Sequence, residues 1–166
     1  EPDNDCDACK EVSAGRCIDL IEMDAASHTG VDNVREAIVE HVRFLPARWK
    51  RKIYVIDECH MLSASAWNAL LKTLEEPPEY AVFILATTEL HKVPATIVSR
   101  CQRFEFKRIQ PDAMAGRLRH LAEDEGLRVA DDVIAAIVSS ADGYVRDAES
   151  LLDQIASLGE KKITRE

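Results

Sequence analysis

Apolar and polar residues follow three rhythms along this chain, and each predicts a different kind of element. Ile18, Leu20, Ile21 and Met23 stand among Asp19, Glu22 and Asp24, which predicts a strand over 18–23. Ser27, Thr29 and Asp32 then offer helix N-caps. Val34, Ile38, Val42 and Leu45 recur at helical spacing until Pro46 ends the pattern. Ile53-Tyr54-Val55-Ile56 is an unbroken apolar run, as expected of a central parallel strand buried on both faces. Ser63 or Ser65 opens the next helix, with Trp67, Leu70, Leu71 and Leu74 on one face. Pro77-Pro78 stops it, because proline lacks an amide proton and restricts the residue before it. Residues 81–86 predict a second buried strand, closed by Thr87-Thr88-Glu89. Pro94 suits the first turn of a short helix reaching Arg100, and Phe104-Glu105-Phe106 reads as a last strand.

From Pro111 onward the strand signal stops. One helix is expected from about Asp112 to Glu125, ending at Gly126. A second carries Val133, Ile134, Ile137 and Val138 and stops near Gly143. A third carries Val145, Ala148, Leu151, Leu152 and Ile155 and ends near Gly159. The expected organisation is therefore an α/β domain over 1–109, with a parallel sheet and helices, followed by a small three-helix domain over 110–166.

The formal charge of −9 argues against indiscriminate binding to DNA or membranes. A local exception is the acid-free stretch with Arg43, Arg48, Lys50, Arg51 and Lys52, which is either a solvated loop or a surface for DNA phosphates. The apolar runs are too short to cross a bilayer, and the chain opens on Glu1-Pro2-Asp3-Asn4-Asp5 rather than a signal-like segment. A soluble, cytoplasmic protein is the expectation.

Candidate chemistry sits at the strand ends. Asp57-Glu58 follows the apolar run, where open α/β sheets bind ligands, so one carboxylate is placed to hold Mg²⁺ and the next to polarise an attacking water. A plain strand-to-turn junction gives the same pair. Thr87 and Thr88 end the neighbouring strand, as phosphate contacts or ordinary caps. Ser99-Arg100-Cys101 follows the short helix, and Arg146 falls in the first turn of the third helix of the bundle, where a cation opposes the helix dipole. Cys6-x-x-Cys9 is half of a tetrahedral zinc site; Cys17 is a possible third ligand or a core residue, and His28 has no supporting spacing. Cys59 and Cys101 are expected to be reduced. A Cys59–His60 hydrolase is set aside, because adjacent residues rarely face each other and no third group is positioned.

Taken in order, Asp57-Glu58-x-His60, the block from Asn68 to Pro78, Ala86-Thr87-Thr88, Ser99-Arg100-Cys101 and Arg146-Asp147-Ala148 resemble the AAA+ ATPases of DNA-polymerase clamp loaders. Asp24-Ala25-Ala26-Ser27 and Cys-x-x-Cys add to the likeness, which extends from Cys6 to about Gln154. The resemblance implies a partial P-loop NTPase sheet and a helical lid. It implies Asp57 as the magnesium carboxylate, Glu58 as the water-activating one and Thr88, with Thr87, as the first sensor. It makes Arg100 an arginine finger for a neighbouring subunit's ATP, Arg146 the second sensor, and Cys6 and Cys9 two of four zinc cysteines. ATP, Mg²⁺ and Zn²⁺ are the implied cofactors. The implied partners are other subunits of a ring-like hetero-oligomer, the sliding clamp and primed DNA, with ATP turnover loading the clamp during replication.

The string Gly-x-x-x-x-Gly-Lys-[Ser/Thr] does not occur in these 166 residues. In the family it lies upstream, so the chain is expected to be a fragment that neither turns over ATP nor holds zinc tightly, with a sheet edge or face left uncovered. A non-hydrolysing stator subunit that supplies only an arginine finger is the alternative. A helicase also shares Asp-Glu-x-His but carries Ser-Ala-Thr after the next strand, where this chain has Ala86-Thr87-Thr88.

Overall fold

The computed structural model describes residues 3–27, 30–157 and 162–163. Five residues named above, Glu1, Pro2, His28, Thr29 and Gly159, lie outside the described residues. The chain divides into two compact units, Glu1–Arg103 and Phe104–Glu166.

The first unit holds a three-stranded parallel sheet in the order β1-β2-β3, with β1 Leu20–Asp24, β2 Lys52–Asp57 and β3 Ala81–Leu85. Register puts Ile21 and Met23 beside Tyr54 and Ile56, and these beside Phe83 and Leu85. That face packs into a core with Val34, Ile38, Val42, Trp67 and Leu70. The other face carries Leu20, Ile53 and Val82 in one row and Glu22, Val55 and Ile84 in the next. It is partly open, Val82 and Ile84 being exposed at 37% and 48%, against the burial expected of this strand and in line with the expectation that a sheet edge or face stays uncovered. Composition gives both faces of β3 the same apolar character, and only the packing distinguishes them.

Helix α3, Ala64–Glu75, starts where Ser63 Oγ accepts the Ala66 amide at 3.2 Å and ends ahead of Pro77-Pro78. Helix α2, Val31–Val34, is shorter than expected and widens into a π-helical turn over Arg35–Val39, with the Glu40 amide donating to the Arg35 carbonyl at 2.9 Å. Val34, Ile38 and Val42 remain buried, four residues apart, while Leu45 is exposed. A strict four-residue spacing stays on one face of a wider helix better than on an α-helix of 3.6 residues per turn.

Ahead of β2, the buried Asp19 carboxylate accepts the amides of Ala47, Arg48 and Trp49 at 2.6, 2.8 and 2.8 Å. The basic stretch is largely spent inside the unit. Lys52 is buried and donates to the His41 carbonyl at 3.0 Å, Arg51 bonds the Glu79 carbonyl, and Arg48 pairs with Glu11 and Asp7. Helix α1, Asp7–Ser13, was not predicted and buries no side chain. The short helix α4 spans Ala95–Val98. No regular strand forms over 104–106, where Phe104 and Phe106 are exposed. An alternating Phe-Glu-Phe pattern makes a strand only where a neighbour accepts its backbone hydrogen bonds.

The second unit contains α5 Pro111–Asp124, α6 Asp131–Ala141 and α7 Val145–Ala156, packed through Met114, Leu118, Ile134, Ile137, Ala148 and Leu152. Gly126 at φ 68° ends α5 while the Leu127 amide reaches the Ala122 carbonyl at 2.8 Å, a Schellman-type stop. Gly143 at φ 87° follows α6, where an added Cβ would lie 2.7 Å from Arg108 Cβ. A two-residue parallel pair, β4 Arg128–Val129 with β5 Lys162–Ile163, also forms. It corrects the expectation of an all-helical region; two residues are too short for any periodic signal. Among the described residues no helix is long and apolar enough to cross a membrane.

Candidate functional site

The C-terminal edge of the sheet gathers the predicted carboxylates. Asp24 ends β1 in register with Asp57, which ends β2. Asp24 accepts the Ala26 amide at 2.8 Å and the Ser27 hydroxyl at 2.7 Å, and so shapes the turn that follows. Asp57 Oδ1 accepts the Glu58 amide at 2.9 Å, and Oδ2 is the oxygen that would meet a cation. Its place at a strand end on the surface fits a magnesium carboxylate.

Glu58 stands at φ 44°, ψ 42°, in the left-handed region, which costs a long side chain on the order of 1–3 kcal/mol. The turn aims its carboxylate across to β3, where Thr88 Oγ1 donates to Glu58 Oε2 at 3.2 Å. The structure thus brings together two residues thirty positions apart that the sequence had assigned to one site.

His60 joins them, and the sequence reading had assigned it no role. Its ring is almost fully buried. Nδ1 lies 3.2 Å from Glu58 Oε2 and 3.0 Å from Thr87 Oγ1, and Nε2 lies 3.2 Å from Glu89 Oε2. Thr87 Oγ1 also accepts the Glu89 amide at 2.9 Å. Thr87 is therefore a structural link between the strand ends, and Thr88 is the hydroxyl on the Glu58 carboxylate. The hydrogen bond from Lys92 holds Glu89 below the usual carboxylate range, with His60 and His91 adding to it. The signal for His60 was the Asp-Glu-x-His spacing itself. The adjacent Cys59 is buried, and burial pushes its thiol up to about 11, which removes it as a nucleophile at neutral pH.

Arg100 follows α4. Its guanidinium donates to Glu75 Oε1 at 2.7 Å and to the Thr96 carbonyl, not to the carboxylates of the sheet edge. Arg146 is exposed in the first turn of α7, within the helical unit.

A separate cluster forms near the start of α1. Donor atoms of Asp3, Cys6 and Cys9 all lie within 4.8 Å of one another, close enough for one ion to touch all three. Cys6 is the N-cap residue of α1, and its Sγ accepts the Cys9 amide at 3.5 Å. The neighbouring Cys6 thiol pushes the Cys9 thiol up. Two sulfurs and a carboxylate suit Zn²⁺. Cys17, a possible third ligand or a core residue by sequence, is not in this group, where Asp3 stands instead. The equal intervals of Asp3-x-x-Cys6-x-x-Cys9 were the available signal. All five cysteines are free thiols.

Residues 1–110 match the sequence model of the family described as DNA polymerase III, delta subunit. DNA polymerase III subunit tau of Bacillus subtilis strain 168 is 55% identical over 157 residues, covering 95% of this chain and 28% of the relative. The chain thus spans under a third of that relative's length. A solved DNA polymerase III gamma subunit-related protein from Thermotoga maritima superposes with a TM-score of 0.62 at 26% identity, over 84% of this chain and 45% of that one. The Thermotoga maritima RuvB Holliday junction branch migration motor superposes at 0.69 with 15% identity, over 87% of this chain and 49% of that one, a likeness of fold alone.

Proposed function

Since the chain belongs to the DNA polymerase III, delta subunit, family, we propose that it forms part of a tau/gamma-type ATPase subunit of a clamp loader. In this reading the subunit sits in a ring-like hetero-oligomer and uses ATP to place a sliding clamp on primed DNA. The observation that carries it is the Glu58–Thr88 pair at 3.2 Å, built on a left-handed turn directly after Asp57. Phosphoryl transfer needs placement and charge neutralisation more than covalent chemistry. Glu58 orients the attacking water, Thr88 holds the Glu58 carboxylate, and His60 ties Glu58 to the end of β3. Asp57 is the ligand for Mg²⁺, which when bound with ATP supplies positive charge at the phosphates. Arg100, released from Glu75, reaches a neighbouring subunit's nucleotide, and Arg146 reads nucleotide from the helical unit. The phosphates themselves require a P-loop, absent from these 166 residues, so the chain by itself should not turn over ATP.

The test is steady-state ATP hydrolysis by the assembled complex carrying Glu58→Gln. Hydrolysis should fall at least about 10²-fold, as for loss of a positioned general base, while ATP binding persists. An unchanged rate would sink the reading. It would favour instead a non-hydrolysing subunit that contributes only Arg100.

A further inference from the structure

We propose that Arg108 is a positioning residue for Arg146: it clasps the turn between α6 and α7 and so fixes the helix end that carries Arg146. The inference rests on the reading of Arg146 as a nucleotide contact and deepens it. All the residues concerned lie in the second unit.

Arg146 is the second residue of α7. Where its guanidinium reaches depends on how the first turn of α7 is held, and that turn lacks the usual device. Its N-cap residue is Tyr144, whose side chain makes no capping hydrogen bond. The approach to the helix is also strained. Asp142 stands at φ 46° and Gly143 at φ 87°, two left-handed residues in succession, and only the glycine adopts that region freely. A turn of this kind persists where its surroundings over-determine it.

Arg108, ahead of α5, supplies those surroundings. Its guanidinium pairs with Asp142, donates to Tyr144 Oη at 3.2 Å and lies 4.9 Å from the centre of the Tyr144 ring. The Ile109 amide donates to the Gly143 carbonyl at 3.1 Å, so the backbone is joined as well as the side chain. Gly143 leaves room for this approach, since a Cβ there would stand 2.7 Å from Arg108 Cβ. Residues 142, 143 and 144 are thus each held from 108 or 109. An exposed ion pair alone would fix little. Here one planar guanidinium meets a carboxylate, a hydroxyl and a ring face together, which defines its orientation. Arg108 is engaged in the turn rather than offered to a phosphate.

The test is the affinity of the assembled complex for a fluorescent ATP analogue, in a double-mutant cycle with Arg146. Arg146→Ala should weaken binding. Arg108→Ala should weaken it about threefold or more, a fraction of the roughly 10²-fold that a misplacement of about 1 Å can cost. In the Arg146→Ala background Arg108→Ala should add nothing, because a residue that acts only through Arg146 has no effect once Arg146 is gone. Tyr144→Leu, which changes no charge, should repeat both results. Amide exchange across α5, α6 and α7 reports whether the second unit folds in each variant. Tyr144→Phe removes one hydroxyl only and serves if Arg108→Ala does not fold; its smaller loss should again require Arg146. An unchanged affinity in folded Arg108→Ala, or an equal loss with and without Arg146, overturns the inference while the reading of Arg146 stands. An Arg146→Ala complex that binds the analogue as tightly as the wild type overturns both.

Discussion

In the α/β unit a buried carboxylate, Asp19, collects three backbone amides, with the buried Lys52 close behind it in β2; in the helical unit every buried residue among those described is apolar. Polar contacts of the helical unit lie on its surface, as Arg117–Glu149 at 3.0 Å and Arg119–Asp131 at 2.8 Å. The difference follows from what each unit must fix. Helices satisfy their own backbone, so an apolar stripe is enough to pack three of them. A parallel sheet is fed by irregular loops whose amides need partners, and a buried carboxylate can serve several at once. The same need recurs at the sheet's other end, where His60, Glu58, Thr87 and Glu89 join the strand ends.

Asp19→Ala should produce the largest effect, because it strips three amides of their acceptor and leaves Lys52 without its nearby counter-charge. A loss of about 3 kcal/mol or more is expected, since each buried amide left without its acceptor costs about 1–3 kcal/mol. Both tryptophans, Trp49 and Trp67, lie in the α/β unit, so fluorescence-detected unfolding reads this loss selectively. The three amides hold the Asp19 carboxylate below its usual range against the opposing effect of burial. A lowered folded value means that the stabilisation is present above the unfolded value of about 4 and is lost as pH falls through the folded one. The fluorescence transition should therefore weaken below about pH 4 in the wild type and less so in Asp19→Asn. Equal acid sensitivity in the two proteins would break the contrast.

Leu118→Ala should come next, at about 2–5 kcal/mol, since Leu118 is fully buried between helices. Far-UV circular dichroism should show part of the helix signal melting early while the tryptophan transition stays in place. A coincident shift of both would mean that the units unfold together. The smallest effect belongs to Arg119→Ala, which removes an exposed ion pair. A change of less than about 1 kcal/mol is expected by denaturant titration. A larger loss would show that the helical unit, too, depends on a polar anchor.

Most of the fold was legible in the chain. β1, β2, β3, α3 and the three helices of the second unit lie where period, proline and glycine placed them, because those signals act within a few residues. Which side of β3 faces solvent, the irregular course of residues 104–106 and the Arg128–Val129 pairing were not legible, because each depends on what lies opposite. The same division holds at the candidate site. Asp57, Glu58, Thr88, Arg100 and Arg146 were picked out by motif order, whereas Asp3, the hub at His60 and the hold of Glu75 on Arg100 came from space. The sequence by itself determined the strand and helix periods, the carboxylates at the end of β2 and the family, all carried by neighbouring residues or by short motifs in order. Only the tertiary structure decided which hydroxyl meets Glu58, which carboxylate joins the two thiols and which sheet face stays open. Those outcomes depend on distances between residues far apart in the chain, and no local spacing encodes them.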